Sequence, residues 1–387
     1  MMPTYSEQQH IVNSHLSIGV VGAGLMGRLT ALSLIRQGYQ VTLIDKDAPS
    51  GHQSAGFAAA GLLTPLGESL HCQQNIVEMG MASLSLWPTI LAGLQQPVYF
   101  QQSGTLVISH DQDKGDYWHF VRSIQQQYPR HQINLLNRDQ LMDLEPELSH
   151  RFNQWTFLSE EGQIDNRGLL DALKNQLNLL NVAWLHHAKV IDIAASSDGC
   201  RVGFNDQTNQ SVVIDFDLVI DCRGIGAKSS LVDLRAVRGE IFRLHAPDVQ
   251  LYRPIRLMHP RYQLYIAPKP NKMFLVGATE IDSDDESPMT VRSAMELLSA
   301  AYSVHPGFAE AHIIEQNSHL RPAFSDNQPK IQINQRLIQV NGLYRHGFLI
   351  APVVLIQVER AIKQCLQHDI DDEPSQYGTL LPITKCT

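Results

Sequence analysis

Three glycines and one aspartate near the start of the chain have the spacing of a site for a nucleotide diphosphate. Gly22, Gly24 and Gly27 form a G-x-G-x-x-G pattern, and Asp45 follows about 20 residues later. In this pattern the first glycine permits a tight turn, the second lets the backbone approach a pyrophosphate, and the third lets helix and strand pack closely. A carboxylate at the position of Asp45 can accept a hydrogen bond from a ribose hydroxyl. These residues predict a site for an adenine dinucleotide.

The flanking residues predict the strand, turn, helix and strand that position such a site. Apolar residues at 18–21 indicate a buried strand, and residues 29–35 have helical apolar spacing. Gly38 stands where the helix would end, and residues 41–44 indicate the second strand, which stops at Asp45. The free N–H groups at the start of this helix, together with its dipole, would face the diphosphate.

A second apolar run, at 218–220, leads into a second glycine turn at 221–226. Ligands gather at the carboxyl ends of parallel strands, so we expect Gly224 to face the same ligand. The segments between the two turns do not continue the β-α-β pattern, which indicates a discontinuous dinucleotide domain with a second domain inserted in pieces. Helices are predicted at 79–94, 116–128, 139–144, 165–180, 291–304 and 351–366, and strands at 98–100, 104–108, 183–185, 189–193, 201–204, 212–215, 240–244, 262–268, 273–277 and 337–341.

Composition argues against several classes of protein. The chain has 387 residues, of which 43% are hydrophobic and 18% charged, which is typical of a globular protein with more than one domain. A net charge of −9 and the absence of a basic stripe argue against nucleic acid as a partner. No apolar run could span a membrane, and the polar segment 1–15 does not resemble a signal peptide. Five cysteines without a C-x-x-C pair favour reduced thiols in the cytoplasm, and no metal site is predicted.

Nine short motifs occur in order along the chain, at 22–27, 58–63, 162–168, 221–226, 237–240, 265–268, 276–279, 320–322 and 344–352. Together they resemble the D-amino-acid oxidase-like family of FAD enzymes, and most of all its thiamine-pathway glycine oxidases. The resemblance covers nearly the whole chain, from Ile18 to about Leu366. It implies a Rossmann-like α/β domain for FAD at 14–88, 150–232 and 322–370, and an α+β substrate domain with a large mixed or antiparallel sheet at 89–149 and 233–321.

The resemblance also implies which residues hold FAD. Some relatives attach flavin covalently, either to a histidine or to a downstream cysteine. Here Ala58 stands at the position of that histidine, and no cysteine lies between Cys222 and Cys365, so noncovalent FAD is predicted. The last helix would direct its amino end at the flavin pyrimidine oxygen. The implied FAD residues are Gly22, Ala23, Gly24, Leu25, Met26, Gly27, Asp45, Lys46, Ser54, Ala59, Ala60, Gly61, Leu62, Val190, Cys222, Arg223, Gly224, Arg345, His346, Gly347, Phe348, Leu349 and Ile350.

The family reaction oxidises an amine carbon beside a carboxylate. Hydride passes to flavin N5, the imine hydrolyses, and O₂ is reduced to H₂O₂, so the implied partners are a small amine or amino acid and O₂. Arg321 matches the family's substrate arginine, Tyr265 matches its hydroxyl partner, and Arg345 is a second candidate for binding carboxylate. Each also has a structural interpretation: an ion-paired arginine, a half-buried strand tyrosine and support for a loop or the flavin.

Glu280 departs from the family pattern, which commonly has methionine after Gly277-Ala278-Thr279. A carboxylate there could pair with Arg321 or Arg345, accept a substrate ammonium, or turn outward. Burying a carboxylate without a partner costs free energy or raises its pKa until it is neutral. The environment of Glu280 therefore decides whether its side chain is charged.

Four functions therefore stay open at this point. The first is oxidation of glycine, with a role in thiamine thiazole synthesis. The second keeps the fold and takes N-methyl amino acids, D-amino acids or aminophosphonates. The third is an NAD-dependent dehydrogenase, and the fourth is a flavoprotein maturation partner without its own turnover. Relatives suggest a homo-oligomer.

Overall fold

The computed structural model describes residues 15–148, 151–259, 264–366 and 376–386. Predictions at residues 1–14, at the domain limits 149–150 and 367–370, and at the start of the strand 262–268 lie outside these ranges. The helices within the described ranges, numbered in chain order, are α1 Leu25–Arg36, α2 Ala55–Ala58, α3 Gln74–Ala92, α4 Lys114–Gln127, α5 Arg138–Leu144, α6 Asn166–Leu179, α7 Val291–Val304 and α8 Gly347–Leu366. Short 3₁₀ turns occupy Asp111–Asp113, Pro146–Leu148, Gly224–Ala227, Pro306–Glu310 and Tyr344–His346.

The strands of the described residues form four sheets. In chain order they are β1 Ser17–Val21, β2 Gln40–Ile44, β3 Leu62–Leu63, β4 Phe100–Gln101, β5 Thr105–Ser109, β6 Ile133–Leu135, β7 Gln154–Leu158, β8 Gly162–Ile164, β9 Ala183–Leu185, β10 Lys189–Ala195, β11 Cys200–Asn205, β12 Ser211–Phe216, β13 Leu218–Asp221, β14 Arg235–His245, β15 Ile255–Met258, β16 Leu264–Lys269, β17 Met273–Gly277, β18 Ile281–Asp282, β19 His312–Ala323, β20 Lys330–Asn334, β21 Leu337–Asn341 and β22 Ile383–Lys385.

The first sheet has seven strands in the order β22-β20-β21-β13-β1-β2-β9. Its centre is parallel: β1 pairs with β2 on one side and with β13 on the other, and Val21 lies opposite Asp221. The two predicted glycine turns therefore leave the same edge of one sheet. Helices α1, α6 and α8 pack with this sheet around a shared apolar core. The expected α/β fold with a parallel core is confirmed.

The second sheet is larger and mostly antiparallel. It has nine strands in the order β18-β14-β17-β16-β15-β5-β7-β6, with β19 paired to β14, and the β15–β5 pair is parallel. Helix α7 packs on it around a second apolar core. Two small sheets, β10-β11-β12 and β3-β8-β4, complete the fold. The expected large mixed sheet is confirmed.

One predicted boundary needs correction. Strand β7 (Gln154–Leu158) pairs with β5 and β6 of the larger sheet, although the predicted FAD domain includes the segment 150–232. The strand pairing puts residues 154–158 in the same sheet as the segments predicted for the substrate domain. Only after Leu158 does the chain enter a different sheet, with β8. The division into two domains otherwise stays a prediction.

Helix α8 begins at Gly347, four residues before its predicted start at Ala351. Pro352 lies inside it and cannot donate the usual backbone hydrogen bond to the carbonyl four residues earlier, which is that of Phe348. The indole N–H of the buried Trp87 donates to this carbonyl oxygen at 3.1 Å instead. A side chain from α3 thus replaces the missing donor and lets the helix continue through the proline.

Candidate active site

The two glycine turns touch each other at the ends of β1 and β13. Gly22 has φ +95°, and a Cβ built on it would lie 2.7 Å from the carbonyl carbon of Cys222. The Cys222 N–H donates to the Val21 carbonyl oxygen at 2.7 Å, which holds the turns in register. Any side chain at Gly22 would therefore be strained and would collide with the second turn.

Helix α1 starts directly after the first turn. Gly24 is its N-cap residue and provides no side-chain cap, so the N–H groups of the first turn face the space beside them. Gly27 matters for a different reason, because a Cβ on it would lie only 1.7 Å from the carbonyl oxygen of Gly22. Gly24 allows approach to the helix end, and Gly27 allows the helix to pack on the turn.

Asp45 is tied to the first turn from the neighbouring strand. Its carboxylate accepts the backbone N–H of Ala23 through one oxygen and that of Asp47, at 2.7 Å, through the other. Burial raises the pKa of Asp45, while these two N–H groups favour the ionised form. The aspartate thus fixes the turn and also faces the space that the turn encloses.

Arg28 is a structural residue that the sequence did not reveal. It is fully buried, and its guanidinium donates to the carbonyl oxygens of Ala23 and Leu170, both at 2.7 Å, and Pro49 at 2.9 Å. Burial lowers its pKa to about 10, so it remains charged at neutral pH. Arg28 is the one charged residue among positions 25–35 of this helix and directly follows Gly27, and this was the signal that could have identified it.

One cavity of about 700 Å³ extends from the glycine turns to the large sheet. Its size is typical of a site for a cofactor and a small substrate. Three implied FAD residues lie outside its lining: Gly27 and Ile350 are buried beside it, and Val190 lies on β10 in a separate small sheet. The site residues that do line it are Gly22, Ala23, Gly24, Leu25, Met26, Asp45, Lys46, Ser54, Ala59, Ala60, Gly61, Leu62, Cys222, Arg223, Gly224, Tyr265, Glu280, Arg321, Arg345, His346, Gly347, Phe348 and Leu349.

Tyr265 and Arg321 lie on the same face of the large sheet. Tyr265 on β16 is paired with Gly277 on β17, and Gly277 is paired with Ile241 on β14. Arg321 on β19 lies opposite Val237, which is on the same face of β14 as Ile241. Gly277 leaves room for the tyrosine hydroxyl, since a Cβ there would lie 2.8 Å from it.

The Arg321 guanidinium has no carboxylate within ion-pairing distance among the described residues. Its one hydrogen bond there is from Nη1 to the carbonyl oxygen of Thr279 at 3.1 Å. Burial raises the pKa of Tyr265, so the tyrosine is a neutral donor at neutral pH. Burial lowers the pKa of Arg321, but an arginine side chain stays protonated in proteins. A desolvated cation beside a hydroxyl is suited to bind an anion in the cavity.

Glu280 turns into the cavity, and its two oxygens are both engaged. Oε1 accepts a hydrogen bond from the Tyr344 hydroxyl at 2.5 Å, and Oε2 pairs with Nη1 of Arg345 at 2.7 Å. Burial opposes its ionisation, but Arg345 and Tyr344 outweigh burial and lower the pKa of Glu280. Of the alternatives left open by the sequence, pairing with Arg345 describes this geometry, and the paired side chain stays half exposed.

Glu68 is a second acidic residue at this end, and the sequence did not point to it. The buried carboxylate pairs with Nη1 of Arg256 at 2.7 Å and with Nε of Arg345 at 2.9 Å. Burial opposes its ionisation, yet Arg345 and Arg256 hold the pKa of Glu68 far below its ordinary value. Arg345 is therefore held by two carboxylates, whereas Arg321 is held by none in the described part of the chain.

The second turn and the last helix supply further contacts. Arg223 forms a two-pronged ion pair with Asp221, at 2.9 and 2.8 Å. The Asn341 amide, which sequence reasoning missed, donates to the Gly224 carbonyl oxygen at 2.9 Å. His346 is buried just before α8, and burial lowers its pKa to about 4, so it is neutral at pH 7. A neutral residue there leaves the positive helix terminus as the main attraction for negative charge.

Metal ligands and membrane spans are both missing from the described ranges. These residues contain no group of three or more side chains able to hold a metal ion. None of their helices combines the length and apolar character needed to span a bilayer.

Comparison with known proteins agrees with this geometry. The model of a family described as FAD dependent oxidoreductase (DAO) matches residues 17–354. A protein of Rhizobium etli with the provisional name thiamine biosynthesis oxidoreductase ThiO is 35% identical over 350 residues, which are 90% of this chain and 96% of that protein. The glycine oxidase of Bacillus cereus superposes with a TM-score of 0.77 at 21% identity, covering 90% of this chain and 98% of that one. The iminodiacetate oxidase of a Chelativorans species does so with a TM-score of 0.76 at 21% identity, covering 96% and 100%.

The two solved structures show a shared fold at these identities. The family model spans most of the chain, and the Rhizobium etli protein is similar over nearly its whole length. An NAD-dependent dehydrogenase is therefore set aside, and the chain belongs to the DAO family of FAD-dependent oxidoreductases.

Proposed function

We propose that this protein is an FAD-dependent oxidase of a small α-amino acid, with glycine as the first candidate. The amine would lose two electrons and one proton from its carbon, as hydride, and one proton from its nitrogen to give an imine. Water would hydrolyse the imine to glyoxylate and ammonia, and O₂ would take up the two electrons and two protons as H₂O₂. The similarity to the Rhizobium etli protein supports a role in thiamine thiazole synthesis.

Residues at the glycine turns fit FAD. The uncapped start of α1 offers N–H groups to a diphosphate, and Gly24 leaves the approach open. Asp45 lines the cavity at the end of β2, where a ribose hydroxyl could reach it, and Ser54 and the loop 59–62 line the next part. The start of α8 lies in the same cavity. Val190 lies outside the cavity lining, so we do not assign it a contact with the cofactor.

The observation that carries the proposal is the Arg321 guanidinium, which lines the cavity without a carboxylate partner among the described residues, beside Tyr265. A substrate carboxylate would complete the charge balance and accept hydrogen bonds from both side chains. Bound FAD supplies the electron acceptor. Arg321 and Tyr265 would hold the carboxylate so that the adjacent amine carbon is oriented for reaction, which is the protein's main contribution to such chemistry.

Other amines remain a second candidate. Glu280 could have favoured N-methyl or other amines by binding an ammonium group, but both of its oxygens already have partners in Tyr344 and Arg345. This supports a small, simple amino acid over a larger cation. Noncovalent FAD, a cytoplasmic location and a homo-oligomer stay predictions from the sequence and the family.

The test uses the purified protein reconstituted with FAD. We expect flavin absorption bands, release of all flavin into the supernatant on acid precipitation, and H₂O₂ production with glycine. Sarcosine, D-alanine, aminomethylphosphonate and iminodiacetate are the comparison amines. Turnover of N-methyl amines or aminophosphonates without glycine turnover would replace the first substrate with the second class. Flavin bands that no amine reduces would favour the maturation partner.

A further inference from the structure

Among the described residues, five charged side chains form a cluster at the end of the cavity that the large sheet lines. Arg321, Arg345 and Arg256 contribute three positive charges, and Glu68 and Glu280 contribute two negative ones. Glu68 bridges Arg256 and Arg345, and Glu280 binds Arg345 from the other side. The cluster therefore carries one excess positive charge, which belongs to Arg321.

The two arginines that line this end of the cavity differ in their partners: Arg345 pairs with Glu68 and Glu280, whereas Arg321 pairs with no carboxylate among the described residues. Arg345 would present a donor-bearing edge to the cavity if Glu280 did not accept a hydrogen bond from its Nη1 at 2.7 Å. Glu280 is in turn held by the Tyr344 hydroxyl at 2.5 Å. The carboxylate of Glu280 thus occupies the position that a second anionic group of a ligand would need in order to reach Arg345.

We propose that Glu280 is a specificity-determining residue that restricts this cavity to ligands with one carboxylate. The inference rests on the proposed function and deepens it. A monocarboxylate finds one unpaired guanidinium, at Arg321. The side chain of Glu280 is about half exposed, at 49%. A dicarboxylate would bring a second negative charge against this carboxylate, and like charges placed next to each other repel.

A further cation at the cavity wall does not offer the same binding. Arg292 also lines the cavity, but it lies exposed on α7. Charges in contact with water are screened and bind a carboxylate weakly. A second carboxylate would therefore depend on the mostly buried Arg345, whose Nη1 already donates to Glu280.

The test compares carboxylate binding to FAD-loaded wild type and Glu280→Gln. Acetate and malonate are the probes, and the change in flavin absorption gives their dissociation constants without catalysis. The substitution keeps the size of the side chain and removes the negative charge beside Nη1 of Arg345, while Glu68 still pairs with Nε of Arg345. We expect malonate to gain about tenfold in affinity relative to acetate. If the glutamine variant does not fold, Glu280→Met takes its place, because it removes the same negative charge.

Glu296→Gln is the matched control. Glu296 lines the same cavity and would lose the same charge, and among the described residues it has no ion pair with an arginine. We expect its malonate to acetate ratio to stay within twofold of wild type. An unchanged ratio in the Glu280 variants, or an equal rise in Glu296→Gln, would overturn the proposal. Binding of acetate without reduction by any amine would contradict the proposed function alone, whereas failure of wild type to bind acetate would contradict both.

Discussion

The guanidinium of Arg321 lies in the space that a side chain at Gly239 would occupy. A Cβ built on Gly239 would lie 2.1 Å from Nη2 and 2.2 Å from Cζ of Arg321. The two residues are diagonal neighbours on β14 and β19, because Arg321 is paired with Val237. A glycine at this one position lets the arginine lie flat on the sheet and face the cavity.

Removing the guanidinium should weaken substrate binding. We expect Arg321→Met to lower kcat/KM for glycine by about 100-fold, mainly through KM, because a charge-assisted contact in a desolvated site is lost. Steady-state H₂O₂ assays measure this. Arg201→Met is the control, since Arg201 is an exposed arginine paired with Asp215 on a different sheet, and it should leave the kinetics unchanged. Similar kinetics in both variants would remove Arg321 from the site.

Adding a methyl group at position 239 should also weaken substrate binding. Gly239→Ala would displace the Arg321 guanidinium, so we expect a rise in KM for glycine of about tenfold with flavin still bound. Gly115→Ala is the control because a Cβ at Gly115 meets nothing within 4 Å, and it should keep wild-type kinetics. The interpretation fails if Gly239→Ala binds glycine like wild type.

Asp45 should contribute to cofactor affinity. We expect Asp45→Ala to weaken FAD binding by about 10- to 100-fold, because the variant loses both the ribose acceptor and the anchor of the Ala23 N–H. Quenching of flavin fluorescence gives the dissociation constant. Asp215→Ala, at an exposed position of β12, should bind FAD like wild type. Equal affinities in the two variants would show that Asp45 does not face the nucleotide.

His346 should make folding sensitive to mild acid. Burial lowers its pKa to about 4, so the unfolded chain takes up a proton below pH 6.5 that the folded chain refuses. The free energy of unfolding should therefore fall between pH 6.5 and 4, by roughly 1 kcal/mol per pH unit from this residue. Urea unfolding at pH 7 and pH 5 should show a smaller loss in His346→Gln than in wild type. His312→Gln, at an exposed position, should behave as wild type does.

Local patterns were sufficient for the nucleotide half of the site. The strand, glycine turn and helix that start the chain follow from residues close in sequence, and Asp45 ends β2 as expected. The bounds of α7, Val291–Val304, also match the prediction, because its apolar spacing and its Thr290 cap are local. Such features depend on few distant contacts, so a pattern within the sequence determines them.

Features that depend on distant contacts could not be predicted in this way. The direction of Glu280 is set by Tyr344 and Arg345, which follow 64 and 65 residues later. The early start of α8 depends on Trp87, which supplies the donor that Pro352 lacks. The predicted domain of strand β7 is wrong because its partners, β5 and β6, precede the boundary in the chain. In each case the deciding partner lies outside any local sequence window.

The most direct test of the account mixes FAD-loaded protein with glycine in the absence of oxygen. We predict that the flavin absorption bleaches, that one glyoxylate forms for each flavin reduced, and that Arg321→Met bleaches far more slowly at the same glycine concentration. A wild-type protein that keeps its full flavin absorption with glycine and with every other small amino acid would contradict the central claim.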